Sequence, residues 1–215
     1  MGIPFVFAKP CKFADGQNEA VKLMCAQHSI PPAPLSRKGK MYVAFIATTV
    51  VLLWLAAFRA ATLLPATIPQ HFDFQGHPTS YGGKAIIWII AASFSLVPLL
   101  FLALIRWRFV LLERYPYFLS LPAFFVELQR FPRDQWAFWV NRYFELLAAL
   151  GFWISLTLLV IEVEIFFSMA VKYTPPWLSL ATIIFLLVLM GIFFVQLRRL
   201  ATEMRQSLEK SIRES

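Results

Sequence analysis

His71, Asp73 and His77 lie close together in the stretch Pro69-Gln-His71-Phe72-Asp73-Phe-Gln-Gly76-His77-Pro78. Two imidazoles and a carboxylate are ligand types that a zinc-like ion accepts. The same groups serve equally well to hydrogen-bond a folded loop to itself. Their surroundings favour the loop. Three prolines and three glycines stand between Leu64 and Lys84, and such residues shape sharp turns. No metal and no cofactor is assigned. Cys25 and His28 offer two more ligands, but no second pair stands nearby, and a structural zinc site takes four. Cys11 and Cys25 read as reduced thiols.

A second kind of chemistry lies in three charges inside long apolar runs: Arg59, Glu162 and Glu164. A charge at mid-bilayer costs roughly 2.5–3.5 kcal/mol even on insertion scales. Counted from the inner ends of their runs at about 1.5 Å per residue, all three fall near the outer interface at similar height. An Arg59–glutamate pair is therefore possible, and pairing within the bundle or with the outer loop is expected over snorkelling to headgroups. Glu162 and Glu164 are about 200° apart around a helix, so only one of them can face a given partner. A proton or ion path needs deeper charges, which this count does not give. No phosphate loop, nucleophile elbow or His-Glu-x-x-His helix is present, so the chain does not read as an enzyme.

The elements that hold these residues follow from composition. Of the 215 residues, 59% are hydrophobic and 15% charged, far from the balance of a soluble domain. Residues 1–40 are mixed and polar, ending in a proline-rich linker. Apolar runs then span 41–64, 85–105, 146–171 and 177–197. Each can cross a hydrocarbon core about 30 Å thick as a helix. Pro98 is expected to kink the second. The first run is too long for a secretory signal, and its leader too extended. The predicted fold is an all-α integral membrane protein with four transmembrane helices, a structured extracytoplasmic loop and a cytoplasmic tail at 198–215.

Orientation comes from the basic residues. Seventeen of the 20 lysines and arginines lie before the first run, between the second and third, or after the fourth. Short basic connections stay in the cytoplasm, which places both termini and the 106–145 connection inside. The net charge of +8 is then a consequence of topology, and nucleic-acid binding loses its support. Within that connection Trp136, Trp139, Val140, Tyr143 and Phe144 recur at helical spacing. They predict an amphipathic helix lying in the inner interface before the chain turns into the third span. The tail, with Leu200, Met204, Leu208 and Ile212 on one stripe, reads as a helical extension.

The outer loop also carries a resemblance. Pro65, Ile68, Pro69, His71, Phe72, Gly76, Pro78 and Lys84 resemble the motif of a bacterial membrane-protein family of unknown function. That domain also forms the front part of the SdpI immunity and signalling protein. Leu119-Ser-Leu-Pro122 and the aromatic helix resemble the family more weakly. Asp73 and Thr79 depart from the pattern, which usually has Asn and Asp there. The resemblance implies a non-enzymatic protein of the bacterial plasma (inner) membrane that acts as a sensor or immunity protein. Its outer loop would meet an extracellular peptide or ligand, and its basic inner face a cytoplasmic protein. The alternatives are a small transporter component and, third, a metal-dependent membrane hydrolase built on His71 and His77. The loop is expected to cap the first and third spans with His71 turned inward.

Overall fold

Pro34 and Ser36 set the start of the first helix, and Pro65 sets its end. The Ser36 hydroxyl accepts from the Gly39 N–H at 3.2 Å, capping α1 (Arg37–Leu63). Leu64, held extended by the proline that follows it, closes that helix. The structure is a computed structural model that describes residues 32–114, 128 and 130–213. Cys11, Cys25, His28 and the Leu119–Pro122 motif lie outside the described residues.

After α1 come β1 (Thr67–Phe72) and β2 (Pro78–Gly83), then α2 (Ala85–Arg106), α3 (Arg108–Arg114), α4 (Arg133–Val171) and α5 (Pro176–Arg213). Four of these helices are long and apolar enough to cross a membrane: α1, α2, α4 and α5. The protein is thus a mostly helical, multi-pass membrane protein whose apolar surface calls for a lipid bilayer.

The all-α expectation fails at the loop between α1 and α2, which is an antiparallel β-hairpin. Pro69 is no obstacle to the ladder. The register shifts between Pro69 and His71, and a residue without an N–H is tolerated at such an irregularity. Gln70 is the extra residue there. Its side chain crosses the hairpin, with Nε2 donating to the Gly83 carbonyl at 3.5 Å. A Cβ at Gly82 would lie 2.1 Å from that Nε2.

The amphipathic segment is not a separate element either. Arg133 to Val171 is one helix of 39 residues, since neither proline nor glycine interrupts it before Gly151. Trp139, Val140, Tyr143 and Phe144 are buried, in a cluster with Ile46, Ile105, Leu112, Leu128, Phe131, Leu200 and Met204. The stripe that reads as lipid-facing in the sequence faces protein. Trp136 is half-buried, and its Nε1 donates to the Phe131 carbonyl at 3.0 Å.

α1, α2 and α4 pack on one another, while α5 packs on α4. A second apolar cluster, at the hairpin end, joins Ala57, Ala60, Leu64, Ile68, Ile87, Ala91, Phe166 and Met169. Most of α5's apolar side chains, from Trp177 to Val195, face outward. Helices of 39 and 38 residues reach about 57–58 Å. α4 and α5 therefore extend beyond any hydrocarbon core at the end opposite the hairpin. That end carries the basic connections.

Candidate functional site

The hairpin is seated from below and latched from the side. Ile68 and Pro69 are fully buried, placing the start of β1 against the helix ends. Lys84, which closes β2, donates from Nζ to the Ala61 carbonyl at 2.6 Å. A cation at the C-terminal turn of α1 satisfies a carbonyl left without an intrahelical partner.

The tip turns on Asp73. Its Oδ1 accepts from the His77 N–H at 2.8 Å. Its carbonyl accepts from Gly76 N–H at 3.0 Å, and its own N–H donates to the His77 carbonyl at 2.9 Å. The His77 Nδ1 lies 3.9 Å from the same carboxylate. Gly76 sits at φ 86°, a left-handed conformation open to glycine. Its carbonyl accepts from the Thr174 N–H at 3.0 Å, which ties the tip to the α4–α5 connection. A Cβ at Gly76 would stand 2.1 Å from the Thr174 carbonyl oxygen. The His77 and Tyr173 rings lie 6.1 Å apart over this junction. The connection is itself folded: Lys172 ends α4 at φ 57°.

What remains on the hairpin surface is a set of polar and aromatic side chains. Phe74, at the tip, is 96% exposed. His71, Asp73, His77, Thr79 and Tyr81 are exposed, Phe72 and Pro78 half-buried, and Pro65 exposed. His71 thus turns outward rather than inward, because β1 buries Ile68 and Pro69 and the shifted register carries His71 to the open face. Asp73 and His77 meet in the turn, while His71 pairs with Ser80 along the ladder. Among the described residues, no three metal-ligating side chains come together.

The charges in the spans are not where the sequence count places them. Arg59 is exposed on the outer face of α1, and Glu164 is half-buried. Glu162 is wholly buried, and neither carboxyl oxygen has a hydrogen-bond partner. No hydrogen bond or ion pair joins it to Arg59. The two differ in height as well as direction. Arg59 is four residues from the end of α1, about 6 Å, while Glu162 is nine from the end of α4, about 14 Å. The cluster that seats the hairpin sets Ala57 and Ala60 level with Phe166 and Met169, a turn or more above Glu162. Counting from the inner end misjudged this because the third span belongs to a helix longer than the bilayer.

At the opposite end, sequence reasoning missed a polar clamp. Arg108 donates from Nε to Asn141 Oδ1 at 2.8 Å, from Nη1 to the Ile105 carbonyl at 3.0 Å and from Nη2 to the Ala33 carbonyl at 2.6 Å. Asn141 Nδ2 donates to the carbonyls of Ala33 and Pro34. Glu145 accepts from the Ser36 N–H at 2.8 Å. Burial and then the neighbouring Arg106 push the Arg108 guanidinium below its ordinary value, against an opposing pull from Glu145. An asparagine amid an aromatic stripe is the one signal the sequence offers for this clamp. Beside it, a cleft of about 190 Å³ opens between α1, α4 and α5, lined by Lys38, Tyr42, Arg142, Glu145, Arg199 and Glu203 among others. Arg142 and Glu203 form an ion pair across it at 3.5 Å.

Comparison with known proteins follows the same outline. Residues 48–94, from α1 through the hairpin into α2, match the family model "Domain of unknown function (DUF1648)". No solved structure matches the chain. An uncharacterized protein of Archaeoglobus fulgidus is 31% identical over 180 residues, covering 84% of this chain and 98% of that protein. The chain belongs to the same family as this archaeal protein, and within it residues 48–94 carry the match to the domain of unknown function.

Proposed function

We propose that this is a non-enzymatic plasma-membrane protein that uses its hairpin as an external recognition surface, as an SdpI-like sensor or immunity protein would. The reading places both termini and the Arg108 clamp in the cytoplasm, because 17 of the 20 lysines and arginines fall on that side. The hairpin then faces outward in a bacterial or archaeal cell.

One observation carries the proposal. The hairpin is held by main-chain bonds, buried apolar residues and the side-chain bonds of Asp73 and Lys84, yet its tip leaves Phe74 96% exposed among His71, Asp73 and His77. A fixed backbone presenting an aromatic among polar groups loses little entropy on binding, and aromatics dominate binding hot spots. An extracellular peptide is the ligand class that fits such a surface. The cleft at the basic end, with Lys38, Arg142 and Arg199 on its rim, suits an acidic cytoplasmic segment of a partner protein.

The test is protection. A bacterial host expressing the chain would be challenged with a panel of extracellular killing peptides. At least one peptide is expected to be tolerated, and Phe74→Asp is expected to abolish tolerance while membrane insertion stays normal. Tolerance that survives Phe74→Asp, or a panel with no protection at all, contradicts the reading. A small transporter component is the second reading, favoured by the buried carboxyl of Glu162.

A further inference from the structure

Glu162 sits where a membrane helix bundle has least reason to keep a carboxyl group. The buried positions Ala148, Gly151, Ser155, Glu162, Phe166 and Met169 follow one another along α4 at spacings of three, four and seven. They form one stripe. Its partners identify the direction it faces. Ala148 clusters with Ile46 of α1 and Ile105 of α2. A Cβ at Gly151 would lie 2.7 Å from the Phe101 ring of α2. Phe166 and Met169 pack with Ala57, Ala60, Ile87 and Ala91. Glu162 therefore points between α1 and α2. Between these anchors its height on α2 is that of the turn ending in Ser95.

Among the described residues, no counter-charge reaches it. α2 carries no charged residue from Ala85 to Ile105, and α5 none from Pro176 to Gln196. From Met41 to Leu63 α1 offers only Arg59, which is exposed, and from Leu146 to Val171 α4 itself offers only the like-charged Glu164. Lys84, the cation at the hairpin base, is committed to the Ala61 carbonyl. The buried hydroxyls nearby are satisfied within their own helices. Thr49 donates to Phe45, Ser95 to Ala91 and Ser155 to Gly151, each to the main-chain carbonyl. Pro98, also buried, has no N–H to give the Phe94 carbonyl. Acceptors thus exist at this height, but among the described residues no cation does. A carboxylate without a partner costs several kcal/mol in such a place, whereas a neutral acid avoids most of that.

We propose that Glu162 is a proton-binding site enclosed by α1, α2 and α4, which holds its proton while the bundle is closed and exchanges it only when the bundle opens. The ligand is the proton itself, and the site does not depend on what the hairpin binds.

Infrared spectra of the full chain in lipid vesicles at neutral pH test this directly. A protonated-carboxyl band is expected in the wild type and in E164Q, and is expected to be absent in E162Q. On transfer to D₂O the band should shift with the time course of the slowest α4 amides, at least about tenfold later than exposed amides exchange. A band that persists in E162Q, a band lost in E164Q, or no such band in a folded wild type overturns the proton assignment. A shift as fast as that of exposed amides overturns the enclosure. Because E164Q and the wild type carry the readout together, failure of E162Q to fold leaves the proposal decidable.

Discussion

The two ends of the bundle are fastened by opposite means. At the hairpin end the main chain does most of the holding, through the Gly76–Thr174 bond, the turn around Asp73 and the buried Ile68 and Pro69, with side-chain bonds from Asp73, Gln70 and Lys84 beside it. At the basic end side chains do it, with Arg108, Asn141 and Glu145 gripping residues 33–36. The first arrangement leaves His71, Phe74 and His77 turned outward; the second spends its polar side chains on structure. A surface whose fold is secured largely by backbone can vary or use its side chains for binding, which is the contrast on which the proposed recognition role of the hairpin rests.

The sharpest way to break this contrast is at Gly76. Gly76→Val puts a side chain into the Thr174 carbonyl and forces a β-branched residue to φ 86°. A left-handed β-branched residue and the lost latch together are expected to lower stability by more than about 3 kcal/mol. Faster amide exchange at Thr174 would localise the loss. Unchanged melting would mean that the latch contributes nothing.

At the other end Arg108→Ala leaves Asn141 and the Ala33 carbonyl short of donors. A loss of about 2–3 kcal/mol is expected in denaturant titration. Combined with Asn141→Ala the loss should fall short of the sum, since both side chains serve one segment. Strict additivity would show two independent contacts instead of a clamp.

Asp73→Ala removes one acceptor from the turn and is expected to cost about 1 kcal/mol. Asp73→Asn should recover most of it, because the amide oxygen can still accept from His77. Equal losses for both would mean that charge, and not the hydrogen bond, holds the tip. The smallest effect is expected at Lys172, whose φ of 57° is one that glycine adopts without steric cost. Lys172→Gly should raise stability by no more than about 1 kcal/mol.

How far the sequence led differs between the ends in the same way. The four apolar runs and Pro65 were enough to outline the helices, because hydropathy and proline act locally. The strands were not legible, since Thr67–Phe72 contains a proline and Pro78–Gly83 two glycines, both poor strand signals. The aromatic stripe from Trp136 to Phe144 was read correctly as a helical face and wrongly as a lipid-facing one. Periodicity reports that a face is apolar and not what covers it. Glu162 was visible as a charge in a span, but its lack of a partner depends on which way α1 turns Arg59, which lies in packing alone.

The account rests on the hairpin and the C-terminal part of α5 lying on opposite sides of the membrane. With Cys11 and Cys25 replaced by serine, single cysteines at Thr79 and Ser207, both exposed, can be probed in intact cells with an impermeant thiol reagent. The account predicts labelling at position 79 in sealed cells and at position 207 only after lysis. Labelling of position 207 in sealed cells, or of position 79 only after lysis, would contradict it.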